Sequence, residues 1–271
     1  HMAAQPLVRL SYSDPLQTYK TNVLGTANIL EAIRICESVN TVVAITTDKC
    51  YENIEKDYAY VETDSLGGFD PYSSSKACAE HVASAYYRSF FKQKNIGLAT
   101  ARAGNVIGGG DWSVDRLIPD MIKSWSKNKK LVIRYPLATR PWQHVLEPLS
   151  GYIALAECLW GNPVEFSGGW NFGPDQNSVK TVKDTVDLAM QVWGNSAEWG
   201  TSSENYLHEA NLLQLNSDKA NALLGWRPTF NFDEAVNKTI SWYKKYYSEN
   251  QEIMNFSMGQ INDYESRNIN V

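Results

Sequence analysis

The chain has 271 residues, of which 43% are hydrophobic and 20% charged, and its formal net charge is −5. This composition is typical of a globular protein with one large or two modest domains and enough chain to bury a core. The acidic balance, with no basic stripe to offset it, argues against a general nucleic-acid binder, although a few placed arginines would still hold an anionic small ligand.

Helices and strands alternate over the front of the chain. Residues 1–5 are either the tail of a strand or, at His1-Met2, a cloning scar. Apolar residues recur at helical spacing over 19–36, and Pro15 stands ahead of them, where a break belongs. A buried strand over 42–47, a helix over 72–92 and a strand over 96–102 follow. This order predicts an α/β fold with a doubly wound parallel sheet.

The periodicity changes after Trp112. Further helices are predicted over 115–127, 148–160, 179–193, 217–224 and 232–247, with a short strand over 131–133 and a strand end at 168–174. We expect the glycine run at 108–110 to be a flexible loop near a bound small molecule, and residues 135–142 to be too rich in proline for a sheet interior. The polar residues from Glu249 onward predict a loosely held tail.

Polar residues follow the first buried strand at the end where ligands bind in open α/β sheets; they are Thr47, Asp48 and Lys49. Tyr72 and Lys76 are four residues apart, so they share one helix face, and the ammonium favours a phenolate usable as a base. Tyrosine–lysine pairs at this spacing are often surface pairs, and an adjacent aspartate and lysine are often a surface ion pair. Their position just after a buried strand favours the functional interpretation.

Cysteines and histidines show no metal-binding pattern, so we predict no metal site. The four cysteines are scattered, and His144 and His208 lack partner spacing, which favours a structural role. The cysteines fit free thiols in a reducing compartment, with the cytoplasm as the default, and no apolar run approaches transmembrane length.

No glycine-rich phosphate-binding turn opens the sequence. The run at 108–110 follows a strand, but no acidic strand end accompanies it at the spacing of a dinucleotide fingerprint. If a nucleotide cofactor binds here, the half that grips its phosphates is absent from this chain.

Several motifs together resemble the extended short-chain dehydrogenase/reductases. They are residues 22–32, Tyr72xxxLys76, Arg102xxAsn105, residues 216–220 and the Leu-Gly-Trp-Arg-Pro run at 224–228. Their order and spacing hold up to about residue 247. Within that family, residues 47–49, the loop at 108–112 and residues 139–145 resemble nucleotide-sugar 4,6-dehydratases, on the branch that acts on CDP-linked sugars.

The resemblance implies a two-domain architecture. An NAD-binding Rossmann fold, N-terminally incomplete, is expected over residues 1–110 and about 141–175. A smaller mixed α/β substrate domain is expected over about 111–140 and 176–250, followed by a tail over 251–271. NAD is the implied cofactor and CDP-glucose the implied substrate. Family members begin with a further segment that carries a GxxGxxG turn.

The resemblance also suggests the binding residues. Cofactor contacts are expected at Ala3, Ala4, Gln5, Asn22, Thr46, Tyr72, Lys76 and Arg102. Arginine forks bind phosphate oxygens in a bidentate way, although each arginine alone is more often a solvated surface residue. Substrate contacts are expected at Asn105, Arg116, Arg134 and Arg140.

Five residues are implied to carry the chemistry: Thr47, Asp48, Lys49, Tyr72 and Lys76. Tyr72, assisted by Lys76, would take the proton of the sugar's 4-hydroxyl, and Thr47 would hydrogen-bond the C4 oxygen. Asp48 would protonate the departing C6 hydroxyl, and Lys49 would remove the C5 proton. These roles need a protonated carboxyl and a neutral amine, which burial and neighbouring charges can provide.

Two other functions remain open. A C4 epimerase of the same family needs Tyr72 and Lys76 but has no use for Asp48 and Lys49. A fragment without the glycine-rich half would bind sugar nucleotide without turnover. The resemblance further implies a homodimer through helices 19–36 and 72–92, with no nucleic acid or membrane as partner.

Overall fold

Short strands alternate with helices along the described part of the chain. The computed structural model describes residues 1–194, 197–201, 212–248 and 250–268. The helices are α1 (Val8–Ser13), α2 (Pro15–Tyr19), α3 (Gly25–Ile35), α4 (Pro71–Tyr86), α5 (Leu117–Trp125), α6 (Leu146–Gly161), α7 (Pro163–Phe166), α8 (Val182–Trp193), α9 (Asp218–Leu224), α10 (Phe232–Ser248) and α11 (Ile253–Asn268). The strands are β1 (Thr41–Ile45), β2 (Ala59–Tyr60), β3 (Gly97–Ala103), β4 (Asn105–Ile107), β5 (Leu131–Ile133), β6 (Thr139–His144), β7 (Gly168–Phe172), β8 (Val179–Thr181), β9 (Trp199–Thr201) and β10 (Gln214–Leu215). Within these ranges, no helix is both long and apolar enough to cross a membrane.

The chain divides into two compact units, and a parallel sheet forms the centre of the first. This unit comprises His1–Gly104, Leu149–Gly173 and Leu213–Arg227. Its sheet has the strand order β1-β3-β7, with both pairs parallel. The predicted α/β fold with a parallel sheet is therefore confirmed.

Helices cover both faces of this sheet. On one face, Leu30 of α3 and Ala83 of α4 pack with Leu98 of β3. On the other face, Leu155 of α6 packs with Ala99 of the same strand. A central strand with helices on both sides is buried along its whole length, as β3 is. The sheet is thus doubly wound, as its sequence pattern predicts.

The helix predicted over 19–36 begins earlier than expected. Asp14 caps α2, since its side chain accepts a hydrogen bond from Gln17 N at 3.1 Å. Pro15 occupies the first helical position, where its missing N–H costs nothing. The helix continues through a π-helical turn, Lys20–Leu24, into α3. The predicted break is present at Asp14, between α1 and α2, and Pro15 begins the helix directly after it.

The first residue is hydrogen-bonded to β1. His1 N donates to Val43 O at 2.8 Å, and Ile45 N donates to His1 O at 2.9 Å. Backbone bonds in both directions are the pattern of a paired strand. These two bonds hold His1 beside β1.

The second unit comprises Asn105–Pro148, Pro174–Leu212 and Pro228–Val271. It contains a mixed three-stranded sheet, β4-β6-β8, and a parallel pair, β5-β9. Its core joins side chains of α5, α8 and α10, among them Trp125 and Met121. This unit is therefore mixed α/β.

The domain assignment made from the sequence differs from these units over residues 213–227, which lie in the first unit, and over 105–110 and 141–148, which lie in the second. Asn171 Nδ2 of β7 donates to Asn216 O at 3.1 Å, and Gly173 N donates to Ser217 Oγ at 2.8 Å. These bonds hold the segment beside the parallel sheet. Which unit binds cofactor and which binds substrate stays a prediction.

Residues 135–142 were expected to be too rich in proline for a sheet interior, yet residues 139–142 lie in a strand. Pro141 lies in β6, the central strand of its sheet. However, residues 139–141 pair only with β8, whereas residues 142–144 pair only with β4. No position of β6 is paired on both sides, so the proline meets the conditions of an edge strand.

The predicted tail over 251–271 is corrected in its described part, where α11 forms. Tyr264 of α11 is buried, and its hydroxyl donates to Glu147 Oε2 at 2.9 Å. Ion pairs join Lys238 with Asp263 and Arg267 with Glu234, between α10 and α11. The sequence did not predict α11 because side-chain bonds hold this polar helix, and it lacks the apolar stripe that indicates a packed helix.

The glycine run at 108–110 is closely packed. A Cβ on Gly109 would lie 2.0 Å from the Trp242 ring, and one on Gly108 would lie 2.7 Å from Val145 Cγ1. Gly110 adopts a positive φ of 85°, which favours glycine. Gly109 allows a close approach to α10 and Gly108 a close approach to Val145, so this run is packed, which corrects the expectation of a flexible loop.

Candidate active site

A polar segment leaves the carboxyl end of β1, as predicted. Thr46 N donates to Ala101 O at 2.9 Å, which extends the strand pairing. Thr47 then caps the 3₁₀ turn Asp48–Cys50, because its Oγ1 accepts from Lys49 N at 3.4 Å. The turn carries its first side chain, the aspartate, into the interior.

Asp48 buries a carboxylate that protein groups satisfy only in part. The residue is 1% exposed. Its Oδ1 accepts a hydrogen bond from Thr47 Oγ1 at 2.9 Å and lies 3.7 Å from Lys49 Nζ. Among the residues that the structure describes, no donor reaches its Oδ2. A buried polar atom without a partner costs about 1–3 kcal/mol, more if charged, so this oxygen points to a ligand.

Local sequence fixes the start of α4, which carries Tyr72. Asp70 caps the helix by accepting from Ser73 N at 3.0 Å, and Pro71 takes the first helical position. The preceding Gly68 has a φ of +129°, and a Cβ there would lie 2.5 Å from the Ser73 carbonyl carbon. The loop therefore needs glycine to approach this helix end.

Lys76 lies one turn after Tyr72, and both residues are buried. Burial lowers the pKa of Lys76 to about 8, against the opposing effect of the Glu80 carboxylate. Among the described residues, its ammonium donates one hydrogen bond, to Ile45 O at 3.0 Å. An ammonium has three protons, so Lys76 keeps donors for the hydroxyls of a bound ligand.

The segment that contains Ala3, Ala4 and Gln5 is fastened beside α4. Asn22 Oδ1 accepts from Gln5 N at 2.8 Å, and Asn22 Nδ2 donates to Gln5 O at 3.0 Å and to Ser75 Oγ at 2.8 Å. The amide of Asn22 is thus engaged with protein groups. These bonds bring the first predicted cofactor contacts to the helix that carries Lys76, an arrangement that fits the nicotinamide half of a dinucleotide.

Thr46 and Arg102, two further predicted cofactor contacts, are buried. Thr46 Oγ1 donates to Glu80 Oε1 at 2.5 Å, and the Arg102 guanidinium donates to both oxygens of that carboxylate. Their polar side-chain atoms therefore have protein partners.

The predicted substrate contacts lie in the second unit. Asn105 begins β4. Arg116 pairs with Asp111 at 3.0 Å, Arg134 pairs with Asp115 at 3.4 Å, and Arg140 donates to its neighbour's carbonyl at 2.8 Å. Each arginine thus has at least one protein partner, and substrate binding by these four residues stays a prediction.

His144 has the environment of a structural histidine. It is buried at the end of β6 and packs edge-on against Phe230 at 5.6 Å between ring centroids. Burial, and secondarily the charge of Lys238, lower the pKa of His144 to about 4. His208 lies outside the described residues.

Sequence reasoning missed two residues of this region. Glu80 stands four residues after Lys76, so the spacing that singled out Lys76 would also have found it. Tyr152 of α6 packs edge-on against Phe172 at 5.5 Å, and burial, with a smaller effect of Asp48, raises its pKa. Sequence spacing gives no signal for Tyr152, because only the tertiary fold brings this residue of α6 close to Asp48.

Known proteins resemble this chain in sequence. The profile of the GDP-mannose 4,6-dehydratase family matches residues 1–239. A CDP-glucose 4,6-dehydratase of Salmonella typhimurium is 49% identical over 98% of this chain and 75% of its own length. A human dTDP-D-glucose 4,6-dehydratase is 27% identical over 90% of this chain and 68% of its own length.

Solved structures show the same fold. A dTDP-glucose 4,6-dehydratase from Bacillus anthracis, solved with NAD, has a TM-score of 0.72 and 26% identity over 88% of this chain and 71% of its own. A UDP-glucuronic acid 4-epimerase from Bacillus cereus, solved with UDP-glucuronic acid and NAD, has a TM-score of 0.78 at 22% identity, over 90% of this chain and 74% of its own. The predicted family is confirmed: the chain belongs to the GDP-mannose 4,6-dehydratase family, the nucleotide-sugar 4,6-dehydratases of the short-chain dehydrogenase/reductases.

Proposed function

We propose that this chain converts CDP-D-glucose to CDP-4-keto-6-deoxy-D-glucose and water through transient hydride transfer to bound NAD. The observation that carries the proposal is Asp48, a buried carboxylate with one oxygen that no donor of the described residues reaches. Asp48 begins the turn that follows β1. This turn packs against α4, the helix that bears Tyr72 and Lys76. The 49% identity to a CDP-glucose 4,6-dehydratase supports the choice of nucleotide sugar.

NAD, when bound, supplies a reversible hydride acceptor. Ala3, Ala4 and Gln5 line its nicotinamide half in the proposal, and Lys76 donates to its ribose hydroxyls. Asn22 acts by holding Gln5 beside α4. The spare donors of the Lys76 ammonium support this arrangement.

Protein side chains move the protons of the reaction. Tyr72 takes the proton of the 4-hydroxyl, while the Lys76 ammonium favours its phenolate. Thr47 hydrogen-bonds the C4 oxygen. The ketone at C4 then acidifies the C5 hydrogen.

Elimination follows on the same sugar. Lys49 removes the C5 proton, and Asp48 gives a proton to the departing C6 hydroxyl, which leaves as water. Asn105 and the three arginines, Arg116, Arg134 and Arg140, are proposed to hold the sugar nucleotide, because guanidinium forks match phosphate oxygens. With the hydride returned to C6 and a proton to C5, the net reaction would be loss of one water, with the cofactor restored.

Substitution of the elimination pair tests the proposal. We expect Asp48→Asn and Lys49→Met each to lower formation of the 4-keto product by about 100–10,000-fold, the usual worth of one acid–base group. The product is followed by its absorbance in base. Undiminished product from both variants would overturn the assignment, and conversion of the sugar to its C4 epimer instead would establish an epimerase.

We also propose that the protein forms a homodimer through the continuous helix α2–α3 together with α4. Support comes from apolar side chains exposed along this helix, since Leu16 is 79% and Leu24 is 55% exposed. Light scattering after size exclusion tests this. A dimer that Leu24→Lys converts to monomer supports the proposal, and a monomeric native chain contradicts it.

We propose the cytoplasm as its location. The four cysteines are free thiols: Cys36, Cys50, Cys78 and Cys158. Free thiols are typical of a reducing compartment.

A further inference from the structure

A buried carboxylate lies on the same helix face as the candidate base, and the proposed mechanism gives it no role. Tyr72, Lys76 and Glu80 follow one another at four-residue spacing on α4, so they form one row. Glu80 is 4% exposed. A buried ion pair is often no more stable than an apolar pair of the same volume, so its presence here calls for another reason.

Four hydrogen bonds fix the two oxygens of Glu80. Arg102 donates to both, from Nε to Oε1 at 3.0 Å and from Nη2 to Oε2 at 2.7 Å. Thr46 Oγ1 donates to Oε1 at 2.5 Å, and Thr100 Oγ1 donates to Oε2 at 2.6 Å. The carboxylate thereby ties α4 to the end of β1 and to β3.

The remaining guanidinium nitrogen of Arg102, Nη1, bonds to a residue that follows the turn Asp48–Cys50. Its Nη1 donates to Tyr51 Oη at 2.7 Å, and Tyr51 Oη donates to Asn171 Oδ1 of β7 at 2.8 Å. A Cβ on Gly169 would lie 2.6 Å from Arg102 Nη2, so glycine lets the guanidinium lie against β7. Thr46 precedes the turn and Tyr51 follows it. The hydrogen bonds of Glu80 and Arg102 therefore hold the chain on both sides of Asp48–Cys50.

Glu80 also supplies the negative charge that acts on Lys76. Burial lowers the pKa of Lys76 to about 8, while Glu80 and, to a smaller degree, Cys50 raise it. Burial raises the pKa of the Cys50 thiol well above its usual range, which leaves the thiol neutral. Burial alone would raise the pKa of Glu80, but the hydrogen bonds from Arg102 and the two threonines outweigh it and hold the carboxyl ionised.

The other titratable groups around this row come from three elements. Tyr72 lies on α4, Asp48 and Lys49 lie on the adjoining turn, and Arg102 lies on β3. Arg102 is engaged with Glu80, and Lys49 lies beside Asp48. Among the charged groups, Glu80 has the largest effect on Lys76: its carboxylate, one helical turn away, raises the pKa of the ammonium.

We infer that Glu80 is a positioning residue: its carboxylate keeps the Lys76 ammonium charged and fixes the chain on both sides of the turn Asp48–Cys50. The inference deepens the proposed function, because both effects act through residues to which that function assigns the chemistry.

Titration of Lys76 tests the inference directly. Lysine side-chain resonances of the purified chain are followed by NMR against pH, and Lys76 is assigned by its loss in Lys76→Arg. We expect a midpoint near pH 8 in the native chain. Glu80→Gln keeps the shape and removes the charge, so the midpoint falls by about one pH unit. The control Thr100→Val removes one bond to Glu80 without changing charge, and its midpoint stays at the native value.

A double variant keeps the test decisive if Glu80→Gln does not fold. That single change leaves Arg102 buried without its counter-charge, which is strongly destabilising. Glu80→Gln combined with Arg102→Met removes both charges and avoids the unpaired cation. The same fall of the Lys76 midpoint is expected in this variant.

Activity gives a second readout. The alkaline limb of the pH–rate profile is expected to move to lower pH by the same amount as the Lys76 midpoint. An unchanged Lys76 midpoint in the folded variants would overturn the inference. The titration needs no turnover, so it decides the role of Glu80 even for a chain that converts no sugar nucleotide. Normal product formation with an unshifted Lys76 would sink the inference and leave the proposed function standing.

Discussion

The two units place their ion pairs in different surroundings. In the first unit, Arg102 and Glu80 are both buried, and they pair at 2.7 Å at the end of the row that Tyr72, Lys76 and Glu80 form. In the second unit, Arg267 pairs with Glu234 at 2.5 Å, where both side chains are partly exposed. A buried pair is costly to break and gives little net stability, whereas an exposed pair contributes about 0–1 kcal/mol. The difference suggests that the Arg102–Glu80 pair serves to position neighbouring residues. The Arg267–Glu234 pair only attaches α11 to α10.

Breaking each ion pair should give the largest difference in the free energy of unfolding between the two units. Arg102→Met leaves the Glu80 carboxylate buried without its counter-charge, so we expect a loss of about 3–5 kcal/mol in the free energy of unfolding. The matched change Arg267→Met should cost at most about 1 kcal/mol. Urea unfolding of both variants makes the measurement. Equal losses would contradict the distinction.

Close packing in the second unit should respond to a single methyl group. Gly109→Ala brings a Cβ within 2.0 Å of the Trp242 ring, so we expect a loss of up to about 3 kcal/mol from overpacking. Gly161→Ala is the control, because no atom lies within 4 Å of the Cβ it adds. Thermal unfolding compares the two. A Gly109→Ala protein as stable as the control would show that the glycine run is not held against α10.

The buried histidine of the second unit should make stability depend on pH. The folded-state pKa of His144 is lowered to about 4 from an ordinary 6.5, so its contribution is present above pH 6.5 and is lost as pH falls toward 4. Between pH 7 and pH 5 we expect it to account for about 2 kcal/mol of lost stability. His144→Gln should show a smaller loss over that interval. The exposed His81→Gln serves as the control, and an identical pH dependence in all three proteins would refute the prediction.

The smallest effect concerns the attachment of α11. Tyr264→Phe removes the hydrogen bond to Glu147 but keeps the ring, so we expect a loss of about 1 kcal/mol. Chemical unfolding measures it, with Tyr58→Phe at an exposed position as the control. No loss relative to that control would mean that other contacts hold α11.

The sequence predicted best what depends on local pattern. The apolar run before Thr47, the Asp70-Pro71 start of α4 and the four-residue spacing of Tyr72 and Lys76 are local signals, and each corresponds to an observed element. These patterns determine strand, cap and helix face within a few residues of chain. That is why the strand end and the helix face that carry the candidate residues could be predicted locally.

Features that depend on distant partners could not be predicted. The bond between the guanidinium of Arg102 and the carboxylate of Glu80 joins two elements that are distant in sequence, so no local pattern reveals it. Pro141 fits a strand because its sheet neighbour changes at that point, which no local pattern reveals. α11 was missed because ion pairs and one buried tyrosine, Tyr264, hold it in place of an apolar stripe.

The central claim is that one sugar undergoes oxidation, elimination and reduction at this site. The most direct measurement is incubation of the purified chain with NAD and CDP-glucose deuterated at C4, followed by mass spectrometry of the product. We predict a 4-keto-6-deoxy sugar that carries the deuterium at C6, with no net reduction of the cofactor. Deuterium retained at C4 of an epimerised sugar, or binding of the sugar nucleotide without product, would contradict the account.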